Sequence, residues 1–134
     1  MGFMLDTDTC IHIIKHRPTA LQKKLEYIAS GEIAVSSVVV AELAYGIEHS
    51  ARKNHNRQAL EEFLSHIVLE DWPTEAAWEY GKIRSHLRRK GMPIGTMDLL
   101  IAAHALHAGT TLVTGNTREF RRVPRLPVEN WIQS

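Results

Sequence analysis

Five short strand-like runs, spaced by longer stretches of helical periodicity, constrain this chain more than any other feature. The runs are Gly2 to Leu5, Ile33 to Ser36, Val68 to Leu69, Thr111 to Thr114 and Val128 to Trp131. Between them, Ile11, Ile13 and Ile14 mark a helix stopped by Pro18, and Leu21, Leu25 and Ile28 a second that Gly31 ends. Ser37 offers an N-cap for a helix through Val40, Leu43, Ala44 and Ile47, and Asn56 to Ile67 is amphipathic through Leu60, Phe63 and Leu64. Thr74 and Glu75 open a long helix that ends at Gly91 and Pro93. Gly95 and Thr96 open another, apolar at Leu99, Leu100, Ala103 and Leu106, which Gly109 closes. Strands rejoined by helices pair in parallel, so the expected fold is α/β: a three-layer domain with a short, mostly parallel sheet flanked by helices.

A chain of 134 residues, 44% hydrophobic and 23% charged, has room for one core, so residues 1–134 are expected to form a single domain. No apolar run approaches the roughly 20 residues of a membrane span, and the first residues run into Asp6 and Asp8 without a cationic flank. A cytoplasmic protein without a membrane partner is expected. One cysteine, Cys10, excludes an internal disulfide and any CxxC motif, and reads as a buried small hydrophobe.

The net charge is +1, but it is unevenly distributed. From Lys82 to Arg125 the basic residues are Lys82, Arg84, Arg88, Arg89, Lys90, Arg118, Arg121, Arg122 and Arg125, and the only acids are Asp98 and Glu119. A basic half is the footprint of a polyanion partner, and on charge alone also of a solvated helix face.

Ligands of open parallel sheets bind at the carboxyl ends of the strands. Asp6 ends the first run, Asn116 and Glu119 follow the fourth, and Glu42 and Asp98 stand near the starts of helices approaching the same edge. Two such charges about 4 Å apart repel by about 4 kcal/mol at an effective dielectric near 20, so four together call for a cation. Oxygen ligands without cysteine favour Mg²⁺ or Mn²⁺ over zinc. Metal beside phosphate-attracting residues is the constellation of a nuclease.

Each carboxylate also has an ordinary role open to it. Glu42 reads as an exposed helix residue, Glu119 as a partner of Arg118 or Arg122, and Asp98 as a helix-dipole acid. Asp6 reads as a helix cap. Thr7 to Thr9 and Asp8 already supply caps to the first helix, however, and Thr96 caps the later one, leaving Asp6 and Asp98 spare.

The stretches Met4-Leu5-Asp6-Thr7, Val40-Ala41-Glu42-Leu43-Ala44-Tyr45-Gly46, Gly95-Thr96-Met97-Asp98-Leu99-Leu100-Ile101-Ala102-Ala103-His104-Ala105 and Val113-Thr114-Gly115-Asn116-Thr117-Arg118-Glu119-Phe120 resemble, in this order, the PIN-domain ribonucleases, specifically the VapC toxins of type II toxin-antitoxin systems. The resemblance covers nearly the whole chain. It implies a metal-dependent endoribonuclease whose acidic site is Asp6, Glu42 and Asp98, completed from the last motif by Asn116 or Glu119. Relatives often carry Asp where Asn116 stands, and Asn where Asp8 stands. Thr114 matches a hydroxyl residue beside the metal. Also implied are a homodimer and a VapB-type antitoxin whose C-terminal segment fills the acidic cleft.

The basic segment Lys82 to Lys90, followed by Gly91, Met92 and Pro93, is similar to that of enzymes cutting the anticodon stem-loop of initiator tRNA. Arg84, Arg88, Arg89 and Lys90, with Arg118, Arg121 and Arg122, are the expected RNA contacts. Trp72, Trp78 and Trp131 are stacking candidates for which core packing is the better expectation. His104 and His107 share a helix, but no third ligand at zinc spacing accompanies them.

Two other classes fit parts of the pattern. Asp6-Thr7-Asp8-Thr9 reads as the start of a haloacid-dehalogenase-type phosphatase, although the required downstream lysine and late acid pair are missing. Asn116 also fits a non-catalytic module that binds RNA or a partner without cutting.

Overall fold

The structure, a computed structural model, describes residues 2–28 and 30–132. In chain order these form β1 (Phe3–Leu5), α1 (Thr7–His16), α2 (Thr19–Tyr27), a 3₁₀ turn (Ser30–Glu32), β2 (Ile33–Ser36), α3 (Ser37–Glu48), α4 (Lys53–Leu64) and β3 (Val68–Glu70). They continue through α5 (Ala76–Arg89), α6 (Thr96–Ala108), β4 (Thr111–Val113), α7 (Thr117–Phe120) and β5 (Val128–Glu129).

The sheet has the order β3-β2-β1-β4-β5, and every pairing is parallel. β1 is the centre: Phe3 and Met4 face Ile33 and Ala34 on one side, and Phe3, Met4 and Leu5 face Thr111, Leu112 and Val113 on the other. Chain order runs outward from β1 in both directions, so the topological switch lies between β1 and β4, at whose carboxyl ends Asp6 and Thr114 stand. At the opposite edge only glycine fits at position 2, because a Cβ there would lie 2.4 Å from the Glu32 carbonyl oxygen.

The core follows from the two periodicities. Met4, Leu5, Ile33, Val35, Leu112 and Val113 are buried in the strands, and Cys10, Ile13, Val39, Leu43, Ile83 and Leu87 on the helices. α6 differs from the amphipathic helices around it: Leu99 and residues 101 through 105 are all buried, and three of these are alanines that let neighbours approach closely. α5 packs along it as the other arm of a helical hairpin. Gly109 then takes a φ of 70° and turns the chain into β4, its N–H satisfying the Ala105 and Leu106 carbonyls.

The expected elements all form, with shifted ends. Ser36, not Ser37, caps α3, its Oγ accepting from the Val38 N–H at 3.2 Å. α4 begins at Lys53 and ends at Leu64, because Ser65 turns its N–H to Glu61 O and its hydroxyl to Glu62 O, leaving Ile67 in the approach to β3. α2 stops at Tyr27, ahead of Gly31.

Leu112 is fully buried on β4, beside the centre of the sheet. Leu112→Ala is expected to cost about 2–5 kcal/mol, read as a lowered urea midpoint at unchanged slope.

Candidate active site at the carboxyl edge of the sheet

Asp6 is where the strand pattern and the helix pattern meet. Its N–H donates to Val113 O at 3.0 Å, extending the β1–β4 ladder, while its Oδ1 accepts the Thr9 N–H at 2.9 Å. Asp6 is therefore the N-cap of α1, which starts at Thr7, and the expected caps from Thr7 to Thr9 are not used. The Thr7 hydroxyl goes to Glu42 Oε1 and the Thr9 hydroxyl to Val113 O. A helix following a strand this directly needs its cap from the strand's last side chain, so capping does not leave Asp6 free; it aims the carboxylate.

Thr114, fully buried, links the two strand ends. Its Oγ1 accepts the Asn116 N–H at 2.9 Å, and its hydroxyl bonds the Asp6 carboxylate. Asp6 is only 5% exposed, and that burial raises its pKa above the ordinary value; the Thr114 and Thr9 hydrogen bonds oppose the rise, and the charge of exposed Asp8 adds to it.

Asp98 lies in the first turn of α6, capped by the backbone of Gly95 with no side-chain bond. Thr96 is the first helical residue and caps nothing, so the expected reason for a spare Asp98 fails while the spare carboxylate stands. A helix N-terminus favours an anion. Even so, the Asp98 pKa is raised to about 7, first by burial, then by the hydrogen bond shared with Glu119 and by the charges of Glu119, Glu42 and Asp6. The four carboxylates expected to converge do converge.

Glu42 and Glu119 depart from their ordinary roles. Glu42 is half-buried on α3 and bonded to Thr7. Glu119, also half-buried, accepts from Asn116 Nδ2 at 3.0 Å rather than pairing with Arg118 or Arg122. Asn116 thus stands beside the acids as a donor to Glu119. The sequence reading missed the hydroxyls of Thr7 and Thr9, whose signal was only their place directly after Asp6.

The donor set is oxygen throughout. Among the described residues no three His, Cys, Asp or Glu side chains close around a cation on their own. Oxygen donors suit Mg²⁺, which keeps several of its waters and takes one or two carboxylates. The gathering of these acids is the observation that fits a cation: burial and then the neighbouring carboxylates hold the proton on Asp98, and positive charge among the acids would favour its release.

The basic residues form two groups, one along the end of α5 and one on and just after α7. Arg84 bonds Tyr80 Oη and Arg89 bonds Ser85 Oγ, while Arg88, Lys90, Arg118 and Arg121 are exposed. Arg122 reaches Pro93 O at 3.4 Å, joining the second group to the turn between α5 and α6. Among the described residues none of these seven pairs with a carboxylate. A groove between α1, α3 and α4, lined by Ile11, Ile14, Leu43, Ile47 and Leu60, includes Glu42 in its wall.

Trp131 is buried and Trp72 half-buried, as expected, but Trp78 is 77% exposed, a correction that follows from its place on the outer face of α5. His104 and His107 part company: the first is buried against Ser36 and the second exposed, so they form no metal pair. Cys10 is buried as expected, and burial holds its thiol well above the usual range. No described helix is long and apolar enough to cross a membrane.

A β3-β2-β1-β4-β5 parallel sheet with acids gathered at the β1/β4 switch defines the class, and the chain belongs to the PIN-domain family, whose pattern it matches over residues 3–126. Within that family its relatives are VapC nucleases. It is 43% identical over 132 residues to Ribonuclease VapC2 of Rickettsia felis, and 40% identical over 131 residues to the tRNA(fMet)-specific endonuclease VapC of Salmonella typhimurium, with 98% of each chain covered in both cases. The crystal structure of VapBC2 from Rickettsia felis bound to a DNA fragment from their promoter is similar with a TM-score of 0.94 at 42% identity, covering 98% of this chain and 99% of that one. The family resemblance drawn from the four motifs holds, and the phosphatase reading gives way: Asp8 is exposed and Asp6 caps a helix.

The folded protein holds the Asp98 proton up to about pH 7, whereas an unfolded chain releases it near 4. The folded state therefore binds more protons between those values, and stability without divalent cations is expected to fall as pH rises through that window. Asp98→Asn should flatten the slope and add on the order of 1–2 kcal/mol near pH 8, after discounting for solvent screening of a half-buried group. Urea unfolding in EDTA at about pH 5 and about pH 8 checks both signs.

Proposed function

We propose that the chain is a Mg²⁺-dependent endoribonuclease, the toxin of a type II toxin-antitoxin pair, folded as one domain over residues 1–134 and acting in the cytoplasm. The observation that carries this reading is the convergence of Asp6, Glu42, Asp98 and Glu119 at the sheet's switch point, where burial first and the neighbouring carboxylates next raise Asp98 to about 7. Asp6, Glu42 and Asp98 would hold the cation, with Glu119 and Asn116 completing the site. When bound, Mg²⁺ or a substituting Mn²⁺ supplies Lewis-acid charge for the scissile phosphate and lowers the pKa of water. Thr114 and the Thr9 N–H keep Asp6 aimed at the edge, Thr7 steadies Glu42, and Asn116 holds Glu119 over Asp98. With water as nucleophile, attack in line leaves a 5′-phosphate and a 3′-hydroxyl.

The substrate proposed is tRNA, with the initiator tRNA anticodon stem-loop foremost, in keeping with the name of the Salmonella relative. Arg84, Arg88, Arg89 and Lys90 on one side and Arg118, Arg121 and Arg122 on the other would grip its phosphates. A VapB-type antitoxin is the proposed protein partner, its C-terminal segment entering the acidic cleft beside the apolar groove, and the toxin is proposed to work as a homodimer.

Asp6→Asn, Asp98→Asn and Glu42→Gln are each expected to cut RNA cleavage by at least about 100-fold while leaving the fold intact; Asn still caps α1. Asn116→Asp should retain activity or raise it. EDTA should stop cleavage, and end-mapping should find 5′-phosphates. Cyclic 2′,3′-phosphates formed in EDTA would exclude the mechanism.

Grip is separable from chemistry. In the Asp98→Asn protein, replacing either basic group with Ala should weaken RNA binding and lower the log-log salt slope by about 0.7 per lost phosphate contact. A slope unmoved in both groups would remove these residues from the RNA interface.

A further inference from the structure

Inside α6, among Ala102, Ala103 and Ala105, stands an imidazole that the site described above does not use. His104 is 2% exposed, and its Nδ1 shares a 2.8 Å hydrogen bond with the Oγ of fully buried Ser36. Burial lowers its pKa, with the nearby His107 adding to the effect, which favours the neutral ring. An apolar residue would pack in an alanine-rich helix at no desolvation cost, so a buried imidazole there needs a reason.

The partner supplies one. Ser36 Oγ also accepts the Val38 N–H as the N-cap of α3, so a single hydroxyl ties α6 to the first turn of α3. Trp72 adds a second tie between the same two elements: its N–H donates to Ser37 Oγ at 3.0 Å and its indole N–H to Leu100 O at 2.8 Å. These bonds clasp two helices otherwise joined by apolar contacts, which fix distance better than they fix orientation.

Those are the helices that carry Glu42 and Asp98. Glu42 lies six residues after Ser36, and Asp98 six residues before His104, so clasp and acids sit at two levels of one α3/α6 contact run in opposite directions. Six residues of helix span about 9 Å, and a tilt of about 10° at the clasp would shift one carboxylate relative to the other by roughly 1.5 Å. Displacements of that size are costly to chemistry and cheap to folding.

We infer that His104 is a positioning residue: through Ser36 it fixes the orientation of α6 on α3 and so the separation of Asp98 and Glu42. The inference rests on the nuclease reading for its catalytic consequence, while its consequence for cation binding stands apart from any substrate.

The test compares His104→Leu, which fills the volume without the bond, with His104→Asn, whose amide nitrogen stands where Nδ1 does, and with Ser36→Ala. Each is measured three ways: Mn²⁺ binding to the protein alone by calorimetry, kcat and KM for RNA cleavage in saturating Mg²⁺, and urea unfolding. Expected for His104→Leu and Ser36→Ala are a Mn²⁺ dissociation constant raised about tenfold and a kcat lowered about 30-fold, with KM changed less than about twofold. His104→Asn should return both to within about threefold of the parent. Combining His104→Leu with Ser36→Ala should lower kcat no further than either alone.

His104→Leu protein that is folded and yet binds Mn²⁺ and cleaves as the parent does would overturn the inference. So would a loss that matched only the unfolded fraction. Should His104→Leu fail to fold, Ser36→Ala decides, and parental Mn²⁺ affinity in that variant overturns it. A parent that binds Mn²⁺ but cleaves no RNA, like Asp98→Asn, would remove the nuclease reading, and the Mn²⁺ comparison would still judge the clasp.

Discussion

Repulsion among Asp6, Glu42, Asp98 and Glu119 is the constraint around which the rest of this molecule is arranged. Left to themselves four carboxylates separate into water; here they come from four different segments, and each is held by the element or side chain beside it. Asp6 is fixed by the β1–β4 ladder and the start of α1, Glu42 by Thr7, Glu119 by Asn116, and Asp98 by its place at the head of a helix buried on nearly every side. Burial and, after it, the nearness of the other acids show in the Asp98 carboxyl, which holds a proton to about pH 7. The scaffold is stable enough to bear that cost because its centre is apolar: Met4, Leu5, Leu112 and Val113 are wholly buried under the same strand ends.

Much of this was legible in the order of residues. Short strand-like runs alternating with helical periods admit little besides a parallel sheet, and the carboxyl-edge rule then places Asp6, Asn116 and Glu119 together without any coordinates. Glu42 and Asp98 were harder. Each has an ordinary helical role, and only tertiary packing, with Thr7 on one and Glu119 on the other, shows which role applies.

What escaped was mostly a matter of one residue or one face. Ser36 and Ser37 are equivalent as candidate caps until the strand's end is known, and the choice matters because the cap is also the partner of His104. Trp78 reads as core by composition and lies in water because the α5 stripe that faces α6 runs through Ala76, Ile83 and Leu87 instead. Histidine gives no sign in a sequence of whether it is buried, so His104 and His107 look alike where the fold separates them completely.

The central place of β1 has a consequence for how such a protein comes into being. The strand that leads to Asp6 precedes its partner β4 and the acid on α7 by more than a hundred residues. On the ribosome, β1 and β2 can pair early, but the edge on which the acids meet has no second wall until residue 119 has emerged. A nascent chain that has not yet reached Glu119 therefore carries the pieces of the acidic site without having assembled it.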